Sequence, residues 1–347
     1  MKLKLFFILF ANLVFTSCYN KSDPETDMDN LKSDDAVIDD HRDDDEKLDN
    51  DEEETGCRFI NTAIASNDSG DIYVVGYTRD NGNNGCDYLG FVKKLENNNW
   101  KTVYECGGPG VECASASPDI WLGNKGEISV AGMNGLLLFE ESGWNNVYFG
   151  DNDSIADDVW GVSLTDLFAA GQSGYPSEGA IFHFDGKELI KMEIPISNDL
   201  NGIWGTGPDN VYAVGEKGTI LHYDGEEWTE MESGTAEYLS SIWGINKQDI
   251  YVAGENVIVH FNGEKWIETL KDEESFFLGI HGLVSDSILA VGRTISETPE
   301  AVAFHYNGQK WKKIEMNIKS ILYDVLALPD GSFYVVGDNN TIERIAL

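Results

Sequence analysis

The sequence predicts an all-β protein made from one short unit used many times, and three observations carry that prediction. A V-Y-A-V-G-like segment recurs after residue 57. Aligned on its last residue, the copies place Gly76, Gly132, Gly171, Gly215, Gly254, Gly292 and Gly337 at spacings of 56, 39, 44, 39, 38 and 45. Each copy holds short runs of β-branched and aromatic residues between turns built from Gly, Asn and Asp. No copy shows the apolar spacing of an amphipathic helix. Four-stranded antiparallel units with a period near forty point to sheets set radially, a β-propeller. Seven copies predict seven four-stranded blades over residues 57–347, the last blade three-stranded or weakly closed.

The clearest copy runs from Leu200 to Trp228, and the next from Leu239 to Trp266. I-W-G is the first strand, followed by a polar turn such as P-D-N or K-Q-D. V-Y-A-V-G is the second strand and I-L-H-Y the third. D-G or N-G, a strong hairpin signal, leads into E-x-W as the fourth. The final copy, Ser320–Leu347, stops at the third strand, T-I-E-R-I-A-L. The segment before Cys57, D-N-D-E-E-E-T-G, is a poor strand former to complete it. Trp121, Trp160, Trp204 and Trp243 fall in a first-strand column, continued by His281 and Tyr323. Trp100, Trp144, Trp228, Trp266 and Trp311 fall in a last-strand column, with Leu189 in the third copy. Repetition in both columns suits packing between neighbouring blades better than ligand stacking.

The N-terminus is different in kind. Lys2 and Lys4 precede the apolar run Leu5–Phe15 and then Thr16-Ser17-Cys18. A basic start, a short apolar run and small residues mark an export signal rather than a fold element. Residues 19–56 carry 17 acidic and 4 basic side chains, a net charge of −13 with almost no apolar content. Such a segment has nothing to bury, and its charges repel. It is expected to be a disordered tether reaching on the order of 120 Å when stretched. The whole chain carries −37, which excludes nucleic acid as a partner on electrostatic grounds. No run of 18 apolar residues is present to span a bilayer.

The first eighteen residues resemble a bacterial lipoprotein signal, with Phe15 where an aliphatic residue is usual. That resemblance implies that residues 1–18 are a signal peptide and that Cys18 is the lipidated first residue of the mature chain. With Tyr19 rather than Asp after it, the outer membrane or cell surface is the expected location. The I-W-G/V-Y-A-V-G/H-Y-D-G-x-x-W units resemble bacterial propeller repeats of the BNR-like and photosystem-assembly-factor type. D-S-G-D-I-Y-V-V-G-Y-T, Asp68–Thr78, is similar to a lipoprotein-type propeller repeat. These resemblances cover residues 57–347 and imply a fold, since one propeller hosts many functions.

Four further cysteines, Cys57, Cys86, Cys106 and Cys113, predict two disulfides in an exported chain. Three pairings are possible; the glycine-rich loop between Cys106 and Cys113 suits a bridge there, leaving Cys57 with Cys86. No cofactor or metal is expected, because the cysteines lack C-x-x-C spacing with histidine partners. His183, His222, His260 and His305 share a third-strand column. Third strands lie roughly 17 Å from a propeller axis and equivalent residues about 15 Å apart, too far to share a zinc ion. Ser66–Tyr73 matches an Asp-box pattern once and reads as a turn. No nucleophile elbow, zinc-binding helix motif or phosphate loop is present.

The expected function is a lipid-anchored, non-enzymatic binding or scaffold module, monomeric, for a protein or glycan partner. Binding is expected at the segments that vary most between copies: 79–90, 106–118, 172–179 and 293–301. Residues 57–347 carry a net −26, which favours a basic or cation-bridged partner. The alternative is a carbohydrate-active hydrolase or lyase with its site at the channel mouth. His281, which interrupts the tryptophan column, is the candidate residue there.

Overall fold

The computed structural model describes residues 57–80, 90–105, 119–133, 135–140, 143–151 and 153–347. Cys18, the tether 19–56, Cys86, Cys106, Cys113 and the side chain of Cys57 lie outside them. The first sheet is β1 (Cys57–Ser66), β2 (Ile72–Asp80), β3 (Gly90–Glu96) and β4 (Asn99–Glu105). The second is β5 (Ile120–Leu122), β6 (Ile128–Gly132), β7 (Gly135–Glu140) and β8 (Gly143–Tyr148). β9 (Ile155–Ser163), β10 (Asp166–Ser173), β11 (Glu178–Phe184) and β12 (Leu189–Lys191) make the third. β13 (Leu200–Gly207), β14 (Asn210–Gly215), β15 (Ile220–Tyr223) and β16 (Trp228–Glu230) make the fourth. All four are antiparallel, their strands side by side in chain order.

The expectation of seven blades is corrected here: the described residues form six sheets. Copies five and six share one six-stranded sheet: β17 (Leu239–Asn246), β18 (Asp249–Phe261), β19 (Trp266–Val284), β20 (Ser287–Thr294), β21 (Ala301–Tyr306) and β22 (Trp311–Lys313). The cause is local. Lys271-Asp272-Glu273-Glu274 replaces the E-S-G-T turn of the preceding copy, and β19 stays paired with β18 on either side of it, Val257 opposite Lys271 and Glu255 opposite Phe276. The repeat count follows the chain, whereas the sheet count follows hydrogen bonds. The last sheet is three-stranded: β23 (Leu322–Ala327), β24 (Phe333–Gly337) and β25 (Ile342–Ile345).

The hairpin signals form as written. Asp185, Asp224, Asn262 and Asn307 each accept two backbone N–H groups, two and three residues on, the Asx geometry that lets the following glycine turn the chain. Apolar clusters then join one copy to the next. Leu136, Leu138, Val159 and Phe182 pack copy two on copy three; Val214, Ile220, Ile242 and Val259 pack copy four on copy five.

The first-strand tryptophans explain the glycine of I-W-G. A Cβ on Gly205 would lie 2.9 Å from the Trp160 ring, one on Gly244 2.6 Å from Trp204, and one on Gly282 3.0 Å from Trp243. Each ring lies against the bare backbone of the next copy. Side chains in close-packed interiors tolerate no such overlap, so tryptophan and glycine recur together.

The first strands follow one another around the ring, with β23 against β1 at the seam. Among the described residues no fourth strand completes the last sheet. Instead Ile64, Ile72 and Val74 pack on Leu326, Leu328 and Val336. Polar groups close the edge: Asn340 N–H donates to the Phe59 carbonyl at 2.9 Å, Asn61 Nδ2 to the Thr341 carbonyl at 3.2 Å, and Arg58 pairs with Asp338.

Candidate functional site

The site begins with a bulge. In six copies the first strand carries one extra residue opposite the end of the second: Thr62, Asp157, Asn201, Ser240, Leu278 and Tyr323. The glycine used to align the repeats sits opposite this point. A Cβ on Gly254 would collide with the Tyr238 carbonyl, and one on Gly215 with that of Asp199. A bulge breaks the in-and-out alternation of a strand and re-aims side chains. Here both the extra residue and its successor reach the channel at Ala63, Asp158, Ser241 and Asp324, four residues that follow a bulge and line it.

These residues line a cavity of about 250 Å³, together with Tyr77, Tyr238 and Phe276. Asp119, Asp157, Asp158 and Asp324 also line it. Each touches channel space yet is hemmed in by protein, and burial lifts all four carboxyls above the usual range. Asp157 is pushed up to about 7 by burial and by the charge of Asp199, and Asp324 to about 8 by burial and by the charge of Asp119. Asp158 is raised well above the usual value by burial and then by the charge of Asp119 beside it, and burial lifts Asp119 as well.

Three of the carboxyls are occupied with the fold. Asp158 accepts Val159 N–H at 2.6 Å and, across to the next copy, Ile203 N–H at 2.7 Å. Asp324 accepts Ile64 N–H at 2.9 Å, and Asp119 accepts Ile120 N–H at 2.6 Å. Neutral side chains continue the girdle: Asn201 donates to the Leu239 carbonyl at 2.8 Å and Ser240 to the Phe277 carbonyl at 2.6 Å. Tyr238 hydroxyl donates to Asn201 Oδ1 at 2.6 Å. Among the described residues, no set of three or more His, Cys, Asp or Glu side chains is placed to hold a metal ion.

His281 stands apart from this cavity. Its ring packs on Trp243, centroids 5.3 Å apart, and its Nδ1 accepts Ala327 N–H from the last sheet at 3.2 Å. Burial pushes its pKa down to about 4, so it is neutral at physiological pH. Tyr323, which the sequence assigns to the tryptophan column, lines the cavity; register places Leu326 in that column. The third-strand histidines bond within their own sheets, His183 to Asp166 and His260 to Asp249 at 2.7 Å, His222 to Asn210 at 2.9 Å. The Asp-box-like segment is a turn in which Asn67 Oδ1 accepts the N–H groups of Ser69 and Asp71.

In these antiparallel sheets the start of strand one, the end of strand two and the start of strand three share a face. Tyr238, just before β17, and Phe276, opposite Arg293 near the end of β20, place the cavity toward that face. Segments 172–179 and 293–301 join second to third strands there. Residues 81–89 and 106–118, within the other two variable segments, lie outside the described residues.

No family model matches the chain, and no curated protein matches it in sequence. Solved structures match it in fold. YCF48 bound to D1 peptide superposes with a TM-score of 0.57 at 12% identity, over 85% of this chain and 93% of that one. The extracellular domain of the hybrid two-component system BT4673 from B. thetaiotaomicron gives 0.57 at 11%, over 83% of this chain and 38% of that one. The WD40 propeller domain of Doa1 gives 0.59 at 10%, over 84% and 97%. At such identities the likeness is one of fold: the described chain is a β-propeller of antiparallel sheets.

Proposed function

We propose that this propeller is a non-enzymatic binding or scaffold module, anchored through lipidated Cys18 outside the cytoplasm at the outer membrane or cell surface. One observation carries the binding reading: the cavity lies toward the face where the variable segments 172–179 and 293–301 leave the sheets. A rigid ring presenting adaptable loops around a concave centre is a common basis of recognition. Occupation of Asp119, Asp158 and Asp324 by backbone N–H groups favours scaffold over acid-base chemistry, since a catalytic carboxyl must reach substrate protons. Peptide binding by YCF48 and the extracellular setting of the BT4673 domain, both distant in sequence, accord with this reading.

The test is cross-linking capture on intact cells with the full chain, beside a variant whose residues 172–179 are replaced by Gly and Ser. A partner protein or glycan held by the native chain and lost from the variant is the expected result. Turnover of a glycan panel without any captured partner would replace the binding reading with the enzymatic one. Mass spectrometry of the mature amino end, expected to show an acylated cysteine, tests the anchor.

A further inference from the structure

The cavity gathers acidic side chains with no basic side chain beside them in its described lining. Asp119, Asp157, Asp158 and Asp324 line it, and among the described residues no lysine or arginine does. Three of these carboxyls accept backbone N–H groups. Asp157 does not. It is partly buried, lines the cavity and accepts no hydrogen bond from a described residue. A polar group left in such a place calls for a partner from outside.

The surroundings say what kind. Tyr238 and Phe276 meet edge to face at 5.5 Å, giving aromatic surface within the same lining as Asp157 and Asn201. Arg293 already rests its guanidinium over the Phe276 ring at 5.0 Å, without itself lining the cavity. Carboxylate together with aromatic surface recognises a diffuse positive charge. The carboxylates do not converge as metal ligands, and about 250 Å³ exceeds what a bare ion needs.

We infer that the cavity binds an organic cation, an ammonium or guanidinium group, with Asp157 as its counter-ion. This rests on reading the cavity face as the binding face, and narrows what that face takes. The group can arrive on a free amine or on a Lys or Arg side chain of a peptide.

The experiment is calorimetric titration of the full chain in detergent at about 150 mM salt, which screens diffuse attraction to an acidic protein. The probes are butylguanidine and the capped peptide acetyl-Gly-Arg-Gly-amide, each beside its neutral urea isostere. One-site binding is expected, about tenfold weaker for the isostere and about tenfold weaker for Asp157→Asn. Asp224→Asn, on an exposed turn, is expected to bind as the native chain does. Binding of butylguanidine identifies a free small cation as sufficient, whereas binding of the peptide alone identifies a presented side chain. Tyr238→Phe, which removes a cavity hydroxyl, is the second variant should Asp157→Asn fail to fold, and it too is expected to weaken binding. Absence of saturable heat from both probes, or undiminished binding by a folded Asp157→Asn, overturns the inference. Capture that still depends on residues 172–179 would then leave the binding-module reading standing.

Discussion

Asp324 Oδ2, on the last sheet, accepts the backbone N–H of Ile64 on the first at 2.9 Å, tying the chain's final repeat to its opening one. Burial keeps Asp324 protonated up to about pH 8, so the bond at neutral pH is made largely by a neutral carboxyl.

Asparagine reproduces that acceptor, and alanine does not. Asp324→Asn is expected to unfold close to the native value in urea, and Asp324→Ala to lose about 1–3 kcal/mol, the cost of stranding a buried N–H group. Equal losses in both variants would assign the effect to charge instead.

The same carboxyls set a pH dependence. Asp157 and Asp324 titrate near 7 and 8 when folded, against an ordinary 3.8. The folded chain binds more protons than the unfolded one between those limits, so stability from these groups is full below about 3.8 and is lost as pH rises through 7 to 8. Asp185, Asp224 and Asp330, lowered by hydrogen bonds to their oxygens, act oppositely and lose their contribution in acid. Thermal melts are expected to peak in mildly acidic buffer and decline toward pH 9. A double Asp157→Asn, Asp324→Asn chain should flatten the alkaline decline.

The tryptophan–glycine pairs give a packing test. Gly205→Ala and Gly244→Ala place a Cβ against Trp160 and Trp204, and overpacking of this kind costs about 1–3 kcal/mol. Gly207→Ala, whose Cβ meets only Asp209 Oδ1 at 3.2 Å, is expected to melt within a degree or two of the native chain.

His281→Phe keeps a ring beside Trp243 and removes the acceptor of Ala327 N–H. A loss of about 1–2 kcal/mol is expected. In the native chain, NMR should find the His281 ring neutral down to about pH 5, since its pKa lies near 4. A titration near 6.5 would mean that the ring is open to water.

Strand identity was legible because the repeat writes it many times: hairpin signals at Asp224-Gly225 and Asn262-Gly263 formed as such, and the tryptophan columns pack between copies. The joining of copies five and six was not legible, because Lys271–Glu274 looks like any polar turn until its strand stays hydrogen-bonded. The cavity was missed for a subtler reason. Alternation assigns every second residue to one face, so Asp157-Asp158 or Ser240-Ser241 reads as one residue in and one out. The bulge that brings both to the channel did leave a trace. A glycine held at one place in every second strand signals a close backbone approach, and at Gly215 and Gly254 that approach is the bulge.

The first strand of copy five divides apolar packing from cavity lining. Leu239, Ile242 and Trp243 pack neighbouring copies together, while Ser240 and Ser241 between them line the cavity. Ser241 can therefore be rewritten, by mutation or by design, while the apolar wedges between copies are left as they were, whereas Ser240 also carries the bond to the Phe277 carbonyl.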